Sequence, residues 1–352
     1  MKKTKIFFPY CGETMGGSHL SSLTLIEKLK KKYDVIVGVH KMGIFSKYCK
    51  NNKIKFCYLN KNFFTNKNGS LKNIIYSILN FYYFINFIKK NKIDIIHIND
   101  FRMLNTWALA SYFSGLKKIL FHARGEAPNS RIVSFNLFFT THIICISKFV
   151  LSTLSKSNQI KSVIITNPIK VIKSFKKKKL NIIGYVGNFW HRKRSDIFFK
   201  FAEKLISKKL KFKFVYIGNI SDKDIEFIYN KYPSLKNKLK FTKFLENPYR
   251  IMETFKFIIC PAEKDGFGRV PLEAAYLNVP CILSFSGAHK EFKDFKLCLF
   301  AKKNKASYYL KIYKKALDQN VKKKLINNAM NFNKMFTLPR IHANKVMNIY
   351  NK

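Results

Sequence analysis

Pro261-Ala262-Glu263-Lys264-Asp265-Gly266-Phe267-Gly268-Arg269-Val270-Pro271-Leu272-Glu273 follows an apolar run, 257–260, and leads through a glycine-bearing turn into a helical stretch starting at about Arg269. Strand, turn and helix in that order form one βα unit of an α/β protein. Gly266 and Gly268 let backbone N–H groups come close to a ligand, and a helix start favours a phosphate. Arg269 adds a planar, permanently charged donor. Asp265 and Glu273 stand eight residues apart across the turn. Glu273, early in the helix, can accept hydrogen bonds from sugar or ribose hydroxyls. Phosphate donors beside a carboxylate describe a site for a nucleotide sugar. The plainer reading is that acids near a helix start complement its dipole.

The same unit recurs on both sides of this segment. Apolar runs predict strands over 5–8, 34–39, 54–59, 94–98, 119–122, 142–146 and 162–165, with helical patterns over 20–31, 71–90 and 103–113 between them. A lysine-rich connector follows, ending in Lys176-Lys177-Lys178-Lys179, and reads as a solvated linker. The alternation then restarts, with strands over 181–186, 212–217, 239–241, 257–260, 281–284 and 297–300, and closing helices over 306–317, 320–331 and 338–349. Alternating strands and helices make parallel sheets. The expectation is an α/β chain of two doubly wound Rossmann-like domains facing across a cleft. Its parts are residues 1–168, a basic linker at 169–180, residues 181–335, and a closing helix at 336–352. Ligands of such sheets bind beyond the carboxyl ends of the strands.

A length of 352 residues exceeds one common core. The net charge of +48 is spread over both halves, with 27 basic against 6 acidic residues through Lys170 and 40 against 13 after it. This points to a polyanionic partner such as acidic lipid headgroups or an anionic glycan, rather than to an arm for specific nucleic-acid binding. The seven cysteines contain no C-x-x-C pair and lie mostly in apolar runs, so neither a disulfide framework nor a zinc site is expected. No apolar run reaches the length of a membrane span, and the N-terminus lacks the apolar run of a signal peptide. A cytoplasmic location is the default, with peripheral attachment to the inner face of a membrane as its extension. The aromatic-rich helix 71–90 either dips into such an interface or packs on the sheet, and packing is the favoured reading.

Other motifs mark strand ends. Met15-Gly16-Gly17-Ser18-His19 follows the first strand and suits close approach to a phosphate or sugar. Residues 184–196 place Arg192-Lys193-Arg194 at a helix start, against the dipole preference, which an anionic ligand would explain. Residues 94–102 and 120–126 end first-domain strands with polar groups, among them His97, Asn99, His122 and Arg124. Asp222-Lys223-Asp224 has a metal-binding spacing but reads as helix-start acids. His289-Lys290-Glu291 lacks the P-C-x-x-C of zinc deaminases and reads as a chance match in a polar loop.

Together these segments resemble the retaining nucleotide-sugar glycosyltransferases of family 4, which have the GT-B fold, over nearly the whole chain. Gly16-Gly17 matches the family's glycine loop. Residues 94–99 resemble its "D-V-V-H-x-H" strand, with Asn99 at the second His. Ile165-Thr166-Asn167-Pro168 resembles "I-x-N-G/P", residues 187–196 resemble "G-R-L-x-x-x-K-G-x-D", and residues 265–273 resemble "E-x7-E" in its "F-G-R-V" form. Residues 336–350 resemble the closing helix that crosses back to the first domain. The resemblance implies that Lys193 holds the donor diphosphate, and that Gly266 and the backbone of Phe267, Gly268 and Arg269 approach the same region. It implies that Glu273 binds the ribose, that Asp265 contacts the donor sugar, and that Gly16 and Gly17 line the donor phosphates from an acceptor-side domain. Either His122 or Arg124 would approach the reacting sugar. Asp265 stands where the family usually has Glu, so its reach is shorter. Asn188, in the donor set, replaces the usual Arg and removes a cation that Arg192 or Arg194 would supply. Arg194 and Asn99 are themselves departures from the family's typical residues.

The implied activity is transfer of a sugar, with retention, from a nucleotide diphosphate donor to a hydroxyl of a glycan or lipid-linked acceptor, in surface polysaccharide or lipopolysaccharide synthesis. The nucleotide sugar is a substrate, and no cofactor or metal is expected. The alternatives are another GT-B enzyme, such as a nucleotide-sugar epimerase, and a non-catalytic protein that binds polyanions or membranes.

Overall fold

A computed structural model describes residues 3–64, 71–189, 191–243 and 245–351. Trp190, within the 184–196 motif, lies outside them. The chain divides into two compact units, Met1–Pro168 with Pro339–Lys352, and Ile169–Leu338.

The first unit contains seven strands: β1 (Lys5–Tyr10), β2 (Asp34–Val39), β3 (Cys57–Tyr58), β4 (Ile95–Ile98), β5 (Lys118–Ala123), β6 (His142–Cys145) and β7 (Ser162–Ile164). They form one sheet in the order β3-β2-β1-β4-β5-β6-β7. All pairs are parallel, β1 running beside β2 from Lys5↔Asp34 to Tyr10↔Val39 and beside β4 at Ile6↔Ile95. Continuous apolar runs suit these strands because helices cover both faces of such a sheet. On one face Ile6, Phe8 and Tyr10 pack with Leu25, Ile26 and Leu29 of helix Gly17–Leu29, and with Ala343, Val346 and Tyr350 of helix Pro339–Asn351. On the other, Phe7 meets Trp107 and Phe87 at ring separations of 4.8 and 5.1 Å. Helix Leu71–Lys90 therefore packs on the sheet through Phe87 and the buried Phe84 and Ile88. The side chains of residues 71–74 and 76–78, which belong to its aromatic stretch, lie outside the described residues. Helix Phe101–Phe113 starts where Asp100 accepts the N–H groups of Arg102 and Met103, an N-cap that satisfies orphan donors.

The second unit contains β8 (Ile182–Val186), β9 (Lys213–Ile217), β10 (Leu239–Phe241), β11 (Phe257–Cys260), β12 (Cys281–Ser284) and β13 (Leu299–Ala301). Their order is β10-β9-β8-β11-β12-β13, again parallel throughout. The chain lays β8, β9 and β10 outward in one direction, then returns to place β11 on the other side of β8. This reversal is the topological switch point, the place where open α/β sheets form a crevice for ligands beyond the strand ends. The core joins Ile183, Tyr185, Phe198, Phe201, Phe214, Tyr216, Phe257 and Ile259 to Tyr309 and Tyr313.

The lysine-rich connector is not simply solvated. Glu253 accepts the Ser174 hydroxyl and the backbone N–H of Phe175, and Lys179 Nζ donates to the carbonyls of Glu253 and Leu277 at 2.7 and 3.0 Å. Six of the seven cysteines are buried thiols, and Cys57 is half-buried. Among the described residues no helix is long and apolar enough to cross a membrane.

Candidate functional site

The crevice of the second sheet is built from the loops after β8, β11 and β12. After β8 a single 3₁₀ turn, His191–Lys193, precedes helix Ser195–Ser207. Tyr185 donates its hydroxyl to the carbonyl of Lys193, and Glu263 N–H donates to the carbonyl of Arg192, so this turn is fastened to β8 and to the loop after β11. Lys193 is thereby aimed across the switch point, where its Nζ meets Asp265 Oδ2 at 2.7 Å. The side chains are 32% and 21% exposed, so the pair borders solvent and can also meet a ligand.

Burial opposes both charges, yet each sustains the other. Burial would raise the Asp265 pKa, but the Lys193 charge, with smaller help from the Phe267 N–H, holds it well below the usual carboxylate range. Burial would lower that of Lys193, and the Asp265 charge and hydrogen bond raise it instead. Both groups are ionised at neutral pH.

Gly268 caps helix Arg269–Tyr276 in the left-handed region, at φ +84°. A Cβ there would lie 2.9 Å from His289 Cδ2 and 3.1 Å from Phe292 Cε2, so glycine is required for conformation and for space. The first turn of this helix holds Arg269, whose Nε and Nη2 donate to Glu273 Oε1 at 3.1 and 2.6 Å. Arg269 and Glu273 thus orient each other at the helix start, below the turn formed by Gly266, Phe267 and Gly268.

His289 is a site residue that the sequence reading set aside. It is not in a polar loop; it is 1% exposed, in the 3₁₀ segment Gly287–Phe292 that follows β12. Its Nε2 lies 3.9 Å from Asp265 Oδ2. Ser284 donates its hydroxyl to Ala262 O, so His289 Nδ1–H is the donor to Ser284 Oγ at 3.2 Å, and Nε2 faces Asp265 as an acceptor in the neutral ring. Burial lowers the His289 pKa, and Asp265 offsets only part of this. Gly287, at φ +56°, lets the segment pass against Asp265, whose N would lie 2.7 Å from any Cβ there.

Arg194 does not supply the cation that Asn188 lacks. Its Nε and Nη2 grip Asp196 at 2.9 and 3.1 Å and its Nη1 bonds Glu263, fixing the entry to helix Ser195–Ser207. Asn188 instead accepts the N–H of Asn219, joining the loops after β8 and β9. Asp224 pairs with the helix-capping hydroxyl of Ser221, and Asp222 with Lys243, as helix-start acids do.

In the first unit, Gly16 caps helix Gly17–Leu29 without a side-chain hydrogen bond, and a Cβ on it would meet nothing within 4 Å. The backbone at this helix start is open. Arg124, after β5, is held by two amide oxygens: Asn99 Oδ1 accepts Nε and Nη2 at 3.3 and 3.0 Å, and Asn167 Oδ1 accepts Nη1. It remains half-buried at the strand ends. His122 corrects the expectation that its ring could approach a sugar. It is fully buried, with Nδ1 3.1 Å from His97 Nε2 and its ring stacked 5.7 Å from that of His342. Of the pair, Arg124 keeps some exposed surface and His122 has none.

Residues 167–332 match the family described as glycosyl transferases group 1. No curated protein sequence matches the chain. Solved structures match over nearly its full length. Anabaena HepE in complex with UDP and glucose is 15% identical over 99% of both chains, with a TM-score of 0.80. A glycosyltransferase from Rickettsia africae is 18% identical over 99% of this chain and 98% of that one, at 0.79. A point mutant of S. aureus TarM, in complex with fondaparinux, alpha-GlcNAc-glycerol and UDP, is 12% identical over 99% of this chain and 100% of that one, at 0.75. At such identities the likeness concerns the fold, which is GT-B.

Proposed function

We propose that the chain is a retaining glycosyltransferase that takes a sugar from a nucleoside diphosphate donor. The observation that carries this reading is the partly exposed Lys193–Asp265 pair, set at the switch point of the second sheet beside the left-handed helix start at Gly268. Lys193 offers its charge to the diphosphate, and the N–H groups beyond Gly268 offer hydrogen bonds. Asp265, sharing Lys193 with the incoming phosphates, turns its free acceptor capacity to the sugar hydroxyls. Glu273, steadied by Arg269, accepts from the ribose. Fixed positive charge at the departing diphosphate stabilises the transition state more than the ground state. The acceptor proton passes to the leaving phosphate oxygen on the same face of the sugar, which retains the anomeric configuration. Lys193 and the helix start supply the positive charge, so turnover is expected to survive a chelator.

The binding of UDP by Anabaena HepE and S. aureus TarM supports uridine diphosphate sugars as the first donors to test. Incubation with a donor panel, with and without lipid-linked glycan acceptors, should release nucleoside diphosphate in an acceptor-dependent manner. Product without acceptor would point to epimerisation or hydrolysis, and absence of both turnover and donor binding would sink every enzyme reading.

We further propose that the acceptor lies at an anionic lipid surface, inside the cell, on a growing surface glycan. The supporting observation is a continuous path of aromatic rings over three helices of the first unit. Tyr82, Phe81, Phe113, Tyr112 and Phe139 follow one another at 5.1–5.8 Å, and Phe139 meets both Phe135 and Phe138. Tyr82 and Phe138 are about three-quarters exposed, and Phe113, Phe135 and Tyr112 more than half. Exposed rings on a chain of net charge +48 suit the headgroup region of an acidic membrane.

A further inference from the structure

The N-terminal edge of the second sheet carries a second basic cluster, at the end of β8 and β11 opposite the donor crevice. Lys179 and Asn181 precede β8, Lys256 precedes β11, and the corner between helices Ala306–Leu317 and Gln319–Phe332 closes over them. These elements enclose a half-open cavity of about 290 Å³ lined by Lys179, Asn181, Lys256, Gln319 and Lys322 with the apolar Ala316 and Leu317. Among the described residues no carboxylate lines it.

Three lysines converging without an acid are an unfavourable arrangement in the free protein. Lys179 Nζ is anchored on two backbone carbonyls, which fixes its position without an ion pair of its own among the described residues. Burial, then the Lys322 charge, pushes its pKa down to about 8, despite the opposing charge of Glu253. Burial and Lys256 likewise lower that of Lys322. Lys322 also lies in the first turn of its helix, where a cation opposes the dipole and an anion is favoured. Asp318, whose carboxylate caps the same helix through the N–H of Val321, forms no ion pair with Lys322 among the described residues.

We propose that this cavity is an anion-binding site, separate from the donor crevice, for a phosphate or diphosphate group held by Lys179, Lys256 and Lys322 at the start of helix Gln319–Phe332. It takes the phosphate of a soluble phosphorylated molecule or that of a lipid headgroup, and the same ammonium groups serve either. The inference does not depend on the proposed sugar transfer.

Amine-reactive labelling read by mass spectrometry tests it on the intact protein. Inorganic pyrophosphate should protect Lys179, Lys256 and Lys322 several-fold, while Lys176, Lys177 and Lys178 in the exposed connector stay equally reactive. Vesicles of phosphatidylcholine with phosphatidic acid, against phosphatidylcholine alone, form the second arm. Protection by pyrophosphate only assigns a soluble ligand, and protection by acidic vesicles assigns a headgroup. Uniform protection of surface lysines in both arms, or none at the three, overturns the proposal. Lys322→Gln adds a check with its own sign. It should raise Tm without ligand, by relieving repulsion, and shrink the further rise that pyrophosphate gives the native chain. An unchanged pyrophosphate shift would overturn the assignment, and the donor crevice, identical in both proteins, cannot account for a difference.

Discussion

Replacing Lys193 by alanine removes two things at once. A diphosphate bound as proposed would lose the Lys193 ammonium, and Asp265 would be left ionised without its cation beside the buried His289. A charge deprived of its partner costs about 1–3 kcal/mol when it is still partly solvated. Lys193→Ala should therefore weaken nucleoside diphosphate binding at least tenfold and also lower Tm. The pair Lys193→Ala with Asp265→Asn should recover stability but not affinity. Calorimetric titration beside thermal melts separates the effects, and unchanged diphosphate affinity in Lys193→Ala would remove its proposed role. Gly268→Ala makes a different prediction, since the new Cβ would press on His289 and Phe292 at a left-handed φ. Stability should fall by about 1–2 kcal/mol, with donor binding weakened as the helix start shifts; an unperturbed melt would mean that the loop relaxes freely. The sequence made these residues readable through their types. A glycine before a helix and a lysine at a helix start stand out in one dimension. His289 did not, because its significance depends on β12 lying next to β11, a pairing between residues more than twenty positions apart. The burial of His122 was hidden for the same reason, since the rings of His97 and His342 close around it from distant segments.

At the scale of elements, continuous apolar runs mark the parallel strands well, because a strand buried on both faces needs no alternation. The expected runs over 34–39, 239–241, 257–260 and 281–284 coincide with β2, β10, β11 and β12. The run over 54–59 shrinks to Cys57–Tyr58, an edge strand paired on one side only. Short helices such as Ile44–Asn51 and Arg131–Phe138 were missed because two turns show too little periodicity. The second of these matters for function, as it completes the aromatic face with helices Leu71–Lys90 and Phe101–Phe113. Because Tyr82 and Phe138 are largely exposed, Tyr82→Ser with Phe138→Ser should leave Tm within about 1 °C, as surface changes usually contribute little. Flotation with acidic vesicles should drop several-fold, while transfer to a soluble acceptor analogue stays unchanged. Equal flotation of variant and parent would dismiss this face as the membrane contact.

Across the whole molecule, the two units hold their titratable groups in opposite ways, and acid should separate them. Five of the eight histidines are buried, and four of these, His40, His97, His122 and His342, belong to the first unit. Burial lowers each pKa, to about 4 for His40 and about 3 for His342, and the Arg124 charge deepens the effect at the other three. Geometry enforces neutrality. Trp107 donates to His40 Nε2 while His40 Nδ1–H bonds the carbonyl of Lys61, so a proton at Nε2 must break the tryptophan bond. A folded pKa below the unfolded value of about 6.5 means that the native state binds fewer protons. This stability is complete above about pH 6.5 and is lost as pH falls toward the folded values. At pH 5 each such histidine costs about 2 kcal/mol, and four together approach the whole stability of an ordinary domain. The second unit has one buried histidine, His289, and its depressed acids are the carboxylates Asp196, Glu253 and Asp265, whose contribution persists until pH falls below about 4, while the depressed Lys179 and Lys322 do not change charge between about pH 7 and 5. Hydrogen exchange at pH 5, corrected for intrinsic rates and compared with pH 7.5, should thus show strands β1–β6 losing protection while β8–β12 keep theirs. Simultaneous loss in both sheets, or earlier loss in the second, would show that the histidines buried around His97 and His122 are not what limits the protein in acid.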